Sequence, residues 1–128
     1  MIDEKLREQA KKFALRCIRL ARALSDDKIE QHIRIQLVTL STSCAINIRA
    51  CCISKLKNEM DEKLTAALEA IDGCCFWIEC IITEGMKREG KVNPLLAEGL
   101  DLRNSIFNQL MKSENGKKRK NDINSGRK

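Results

Sequence analysis

The sequence has one proline, one histidine, no tyrosine and only 3% aromatic residues. Leu, Ile, Ala, Lys, Arg and Glu dominate instead, a composition that favours helices and argues against a sheet protein. No C-x-x-C pair occurs among the seven cysteines, at positions 17, 44, 51, 52, 74, 75 and 80. The adjacent pairs Cys51/Cys52 and Cys74/Cys75 lie in apolar helical patterns, where neighbouring side chains point about 100° apart and cannot share a metal-binding face. The thiols are expected to act as small buried hydrophobes in a reducing compartment, with neither metal nor cofactor. The lone histidine, His32, sits beside Gln31 on a presumed outer face and is given no role. No charged-then-apolar leader is expected. Charges such as Asp72, Glu79 and Glu84 are expected to interrupt every apolar run before it reaches the roughly 20 residues that span a bilayer. The expectation is a cytoplasmic protein without a membrane partner.

What is present is helical periodicity. From Met60 to Ile82 the apolar residues Met60, Leu64, Ala67, Leu68, Ile71, Cys75, Ile78, Ile81 and Ile82 recur mostly three and four apart, which lines one side of a helix. Such a stripe must be buried against partner helices. A first helix, from about Asp3 to Leu24, carries the seam Leu6, Ala10, Phe13, Cys17, Leu20 and Leu24. Ser25, Asp26 and Asp27 break the pattern, and Asp27 with Glu30 resembles a capping box for a second helix. Its stripe is Ile29, Ile33, Leu37, Leu40, Cys44 and Ile48, continuing to Cys51 or Cys52. Ser54 to Asn58 form the next break, with Asn58 as cap. Asn93 followed by Pro94 signals the start of a fourth helix that buries Leu96, Leu100, Ile106, Phe107 and Leu110. Short connections make successive helices antiparallel. The 128 residues therefore predict one all-α domain over 1–113, an antiparallel up-down-up-down four-helix bundle, followed by a disordered basic tail over 114–128.

The net charge of +6 is unevenly placed. Residues 1–24 carry seven basic against three acidic residues and residues 112–128 seven against two, while the middle is mildly acidic. On the first helix Lys5, Lys12, Arg16 and Arg19 share a stripe beside the seam. It is either a solvated face whose long side chains cover the core edge or an anion-binding strip. In the tail Lys117, Lys118, Arg119 and Lys120 form one block. Asn47 lies beside the second helix's seam, where one polar group can set register or oligomeric state. Ile71, Phe76, Trp77, Ile78, Ile81 and Ile82 cover more of their helix than one core needs. Asn47, Phe76 and Trp77 are accordingly candidate contacts with a second copy.

Several segments resemble a known family. Gln36-Leu37-Val38, Thr42-Ser43 through Ile46-Asn47-Ile48, the helix start at Glu59-Met60, and Phe76-Trp77-Ile78-Glu79 leading to Gly85 resemble the bacterial four helix bundle protein family. That family includes proteins encoded in intervening sequences of large-subunit ribosomal RNA genes. It is similar to the accessory variability determinant of diversity-generating retroelements. The likeness covers roughly Phe13 to Lys112, with departures at Arg49 and Ala50. It implies a bundle assembled as a ring, typically a homopentamer. For the retroelement relatives it also implies a basic surface that engages nucleic acid and a reverse transcriptase.

No nucleophile with a base, no paired carboxylates and no metal spacing is recognisable, so an enzyme is not expected. The leading expectation is a homo-oligomeric bundle that binds RNA or DNA through phosphate contacts from the first helix and the tail, as an accessory to a reverse transcriptase. The alternative is a protein–protein scaffold or adaptor without nucleic-acid binding, in which the basic stripe is solubilising or faces an acidic partner.

Overall fold

The computed structural model describes residues 4–87 and 89–125, with side chains as far as Ser113 except that of Glu89. Its helices are α1 (Glu4–Ala23), α2 (Lys28–Ile53), α3 (Lys57–Thr83) and α4 (Glu89–Ser125), and no strand occurs among the described residues. Each helix packs on its chain neighbours and α4 closes back on α1, the least extensive of the four seams, while the diagonal pairs stay apart. With such short turns the helices alternate in direction, giving the predicted all-α four-helix bundle.

Each turn has its own chemistry. At the α1–α2 corner Asp27 Oδ2 accepts from the backbone N–H of Ile29 and Glu30, the predicted cap. Glu30 does not complete the box on Asp27. Its carboxylate accepts instead from the N–H and hydroxyl of Ser25, at 3.1 and 2.6 Å. Arg34 then ties the corner down, Nη2 donating to the carbonyls of Leu24 and Ser25 at 2.7 Å each. At the α2–α3 corner Asn58 is not the cap. Leu56 holds that position without a side-chain bond, and the Cys51 thiol donates to the Met60 carbonyl, which fastens the first turn of α3 to the last turn of α2.

At the end of α3, Gly85 has φ +65°. Its N–H donates to Ile82 O, and that of Met86 to Ile81 O. This pair of bonds is the glycine-ended stop that leaves the next residue packed on the helix it follows, and Met86 indeed packs against the core. α4 begins at Glu89, ahead of the predicted Asn93–Pro94 start, so Pro94 lies inside the helix. The early start buries Val92 and Leu95. Pro94 forgoes the bond to the carbonyl of Gly90, four residues back. The α4 backbone is helical as far as Ser125, past the point where composition predicts a disordered tail.

The α1 seam is buried as predicted at Leu6, Ala10, Phe13, Cys17 and Leu24, with Leu20 half-buried. Elsewhere the core is rotated slightly from the predicted stripes. In α2 Ser41 is buried and Leu40 half-buried, while Ile29 is 65% exposed. In α3 Ala70 and Cys74 join the core and Leu68 is only half-buried. In α4 the core residues are Val92, Leu95, Leu102 and Ile106, while Leu96, Leu100 and Leu110 are half-buried and Phe107 is exposed. Small residues explain the rotation. A Cβ on Gly99 would stand 3.0 Å from Phe13 Cε1 and Cζ and from Cys75 Sγ, so the Phe13 ring rests on bare α4 backbone. Gly73 likewise admits Leu40 Cδ1 at 3.1 Å from such an atom.

The prediction that charges break every long apolar run fails for α2. This helix is long and apolar enough, by length and composition alone, to cross a membrane. The interrupting acids lie in and beyond α3, whereas residues 35–48 contain no charge at all. α1 and α3 cover one side of α2. On the other side Ile35, Ile46 and Ile53 are exposed.

Two substitutions separate crowding from backbone freedom. Gly99→Val is expected to destabilise the fold by about 2–3 kcal/mol through overpacking. Gly90→Ala, which meets nothing within 4 Å, should stabilise it by about 0.5–1 kcal/mol. Urea unfolding followed by helicity checks both. The buried thiols make the fold alkali-sensitive. Burial pushes Cys44 and Cys75 up to about 12 and Cys51 up to about 11, against the ordinary 9.0. Below about pH 9 both folded and unfolded chains hold these protons. Above it the unfolded chain releases them first, so the urea midpoint should fall as pH rises from 9 through 11. Cys44→Ala should flatten that fall.

Candidate functional site

Arg16 and Arg19 stand one turn apart on the side of α1 that faces α4. The glycine-ended stop of α3 directs the chain across the top of this seam and brings Lys87 to it. The first turn of α4 adds Lys91. Together these four cations rim a cavity of about 270 Å³, floored by Leu20, Val92 and Leu95. Val92 and Leu95 are buried, Arg16, Arg19 and Lys91 are exposed, and Lys87 is half-buried. The groove is therefore cationic at its lip and apolar at its base. Arg16 Nη1 also pairs with Glu98 Oε2 of α4, closing the lower end. Glu30 lies near the upper end, its carboxyl held low chiefly by the Ser25 hydroxyl and to a smaller degree by Lys87. The start of α4 adds its own partial positive charge to the same end.

Of the predicted basic stripe, the structure brings together only Arg16 and Arg19. Lys12 is exposed on α1. Lys5 lies roughly 16 Å down the helix from Arg16, where it lines a separate cavity of about 190 Å³ with Gln9 and Ser105. The side chains of Lys117, Lys118, Arg119 and Lys120 lie outside the described residues. Lys87 and Lys91 are the residues that sequence reasoning missed. They belong to a stretch readable only as a charged loop between Gly85 and Gly90, and nothing in it says that α4 will fold back beside α1. A larger cavity of about 610 Å³ at the opposite end of the bundle carries Lys55, Lys57 and Lys112 around Cys51 and Met60. Its one carboxylate among the described residues, Asp61, accepts from the Ser113 hydroxyl.

The candidate self-contact residues lie on other faces. Asn47 is half-buried, and its amide donates to the Ser43 carbonyl at 2.8 Å and to the Ser43 hydroxyl, so it is satisfied within α2. Phe76 is 55% exposed. Trp77 is half-buried, edge-on to Phe76 at 5.2 Å and to His32 at 5.6 Å between ring centres. His32, given no role from sequence, thus covers the indole. On the other edge of α3, Arg103 of α4 pairs with Asp72 at 2.8 Å, and Leu68 and Phe107 line a shallow apolar cavity with them.

None of the perturbed thiols is set up as a nucleophile. Cys17 and Cys74 approach to 3.8 Å between sulfurs, and the Cys17 thiol is pushed up by the bond to Cys74 and then by burial. A raised thiol holds its proton and is chemically quiet. The described residues contain no group of three His, Cys, Asp or Glu side chains placed to hold a metal ion.

No family model and no curated protein matches the chain. Among solved structures it is similar to a protein of unknown function from the S23 ribosomal protein family of Bacteroides thetaiotaomicron VPI-5482, with a TM-score of 0.76 and 18% identity. The match covers 82% of this chain and 97% of that one, and at this identity it shows a shared fold.

Proposed function

We propose that the chain is a non-enzymatic helical bundle that assembles with copies of itself and binds RNA or DNA through phosphate contacts. The observation that carries this reading is the convergence of Arg16, Arg19, Lys87 and Lys91 on one groove, with Glu98 the one carboxylate paired there among the described residues. Cations gathered so closely hold counterions, and a polyanion that displaces them gains the free energy of their release. Phe13 is buried in the core, and Phe76, Trp77 and Phe107 lie on other faces. The groove therefore lacks an aromatic platform on which bases would stack, which favours binding independent of sequence.

Self-assembly rests on the uncovered side of α2. Ile35, Thr39, Thr42, Ile46, Arg49 and Ile53 recur four and three apart there, a seam with the spacing of a helix that packs on another helix. Ile46 and Ile53, with Arg7 of α1 and Arg49, line a cavity of about 340 Å³. The outer face of α3 offers the opposite charge in Glu69, Asp72 and Glu79 beside exposed Phe76. Unlike faces joined in this way build a ring when the rotation between subunits closes, the arrangement of the homopentamer that the family resemblance implies. The same resemblance suggests a reverse transcriptase as the protein such a ring would serve.

Binding to a mixed-sequence single strand should weaken steeply with salt. Changing Lys12, Arg16 and Arg19 together to Gln should lower affinity for all sequences about equally. It should also flatten the log–log salt slope by about 0.7 for each phosphate that is no longer neutralised. Helicity should stay intact. Ile46→Glu should reduce the assembly measured by light scattering without unfolding it. A full-length protein with no salt-dependent binding at low ionic strength would leave the scaffold reading in place of this one.

A further inference from the structure

We infer that the α1–α4 groove holds the 5′-phosphorylated end of a nucleic-acid strand rather than a run of internal phosphates. The inference rests on the nucleic-acid reading above and narrows it. Three features of the groove carry it, namely its size, the side chains standing at its two ends and its concentration of charge.

A volume of about 270 Å³ falls just below the ~300–1,000 Å³ of ordinary small-molecule sites, so the groove has room for about one nucleotide. Between Arg16 and Ala23 it runs roughly 10 Å along α1. The Arg16–Glu98 pair crosses it at the lower end, and Lys87 stands at the upper. A strand passing straight through would have to displace one of these two obstacles. A strand that ends there displaces neither.

The charge fits the same occupant. Four cations face one small concavity; the pair with Glu98 offsets one of them, and Glu30 beside Lys87 offsets part of another, which leaves an excess of about two positive charges. An internal phosphodiester brings a single negative charge, whereas a terminal phosphate monoester carries roughly −1.5 to −2 near neutral pH and exposes three acceptor oxygens. The guanidinium of Arg19 and the ammonium groups of Lys87 and Lys91 have donors for all three. The apolar base formed by Leu20, Val92 and Leu95 then receives the sugar and base of the first nucleotide without reading its edges.

Two single strands of identical sequence, one 5′-phosphorylated and one 5′-hydroxyl, both labelled at the 3′ end, test this by fluorescence anisotropy on the full chain at physiological salt. The phosphorylated strand should bind about fivefold more tightly, the effect of roughly 1 kcal/mol of added ion pairing at a solvent-accessible site. Adenosine 5′-monophosphate should erase the difference and adenosine should not. Lys87→Gln with Lys91→Gln should abolish the preference while the 5′-hydroxyl strand still binds through the rest of the basic surface. Equal affinity for the two strands overturns the inference but leaves general binding standing, as does competition by adenosine as strong as by its monophosphate. Absence of binding to either strand overturns both.

Discussion

The contact on which the rest depends is the Phe13 ring lying flush on Gly99. The α1–α4 seam is the least extensive of the four, so few side chains set its spacing, and this ring on bare backbone sets most of it. Glu98 is the next residue in α4 and Arg16 stands one turn on from Phe13, so their ion pair forms where the ring has drawn the two helices together. Further up the seam the helices flank the cationic groove. A bulkier residue at Gly99 would part them and widen the groove's lower end as well as loosen the core. Stability and the candidate site therefore share one determinant.

The core is unusual in its use of thiols and small residues. Cys17, Ser41, Cys44, Cys74 and Cys75 occupy positions where a bundle more often places leucine. Small side chains let helices come close and compensate for smaller hydrophobic area with dispersion contacts. Cys44, Cys51 and Cys75 also make the fold sensitive to alkali, because each keeps a proton that the unfolded chain would release. The neutral, quiet thiols are the reverse of catalytic cysteines, which need a lowered pKa and access.

Polar and apolar surface are placed apart. The α1–α4 edge holds converging cations, while the outer side of α2 and the Phe76–Trp77 face of α3 hold exposed apolar side chains. The proposed ring, if built from the latter faces, would leave the former open and repeat the cationic groove once per subunit. Avidity from such repetition can exceed the affinity of any one groove by orders of magnitude.

Much of this was legible in the residues. Heptad spacing announced α1 and its seam at Leu6, Phe13 and Cys17, because a helix buried along one side must repeat its apolar positions at that period. Asp27 announced the start of α2, because a cap is a local bond. Asn58 and Asn93–Pro94 misled for the complementary reason. A cap stabilises by about 1 kcal/mol, and the burial of Val92 and Leu95 at the start of α4 outweighs it. Leu68, Phe107 and Ile29 look like core by spacing alone, since several neighbouring registers share an apolar stripe and only helix packing chooses among them. The sequence by itself determined the helical class, the number of helices and the basic character of α1, all properties of local periodicity and composition. Tertiary structure alone decided that Lys87 and Lys91 join Arg16 and Arg19, and that α2 keeps an uncovered apolar side. Which groups meet across a seam depends on how closely helices distant in sequence approach, and here that distance is set by two missing side-chain carbons, at Gly73 and Gly99.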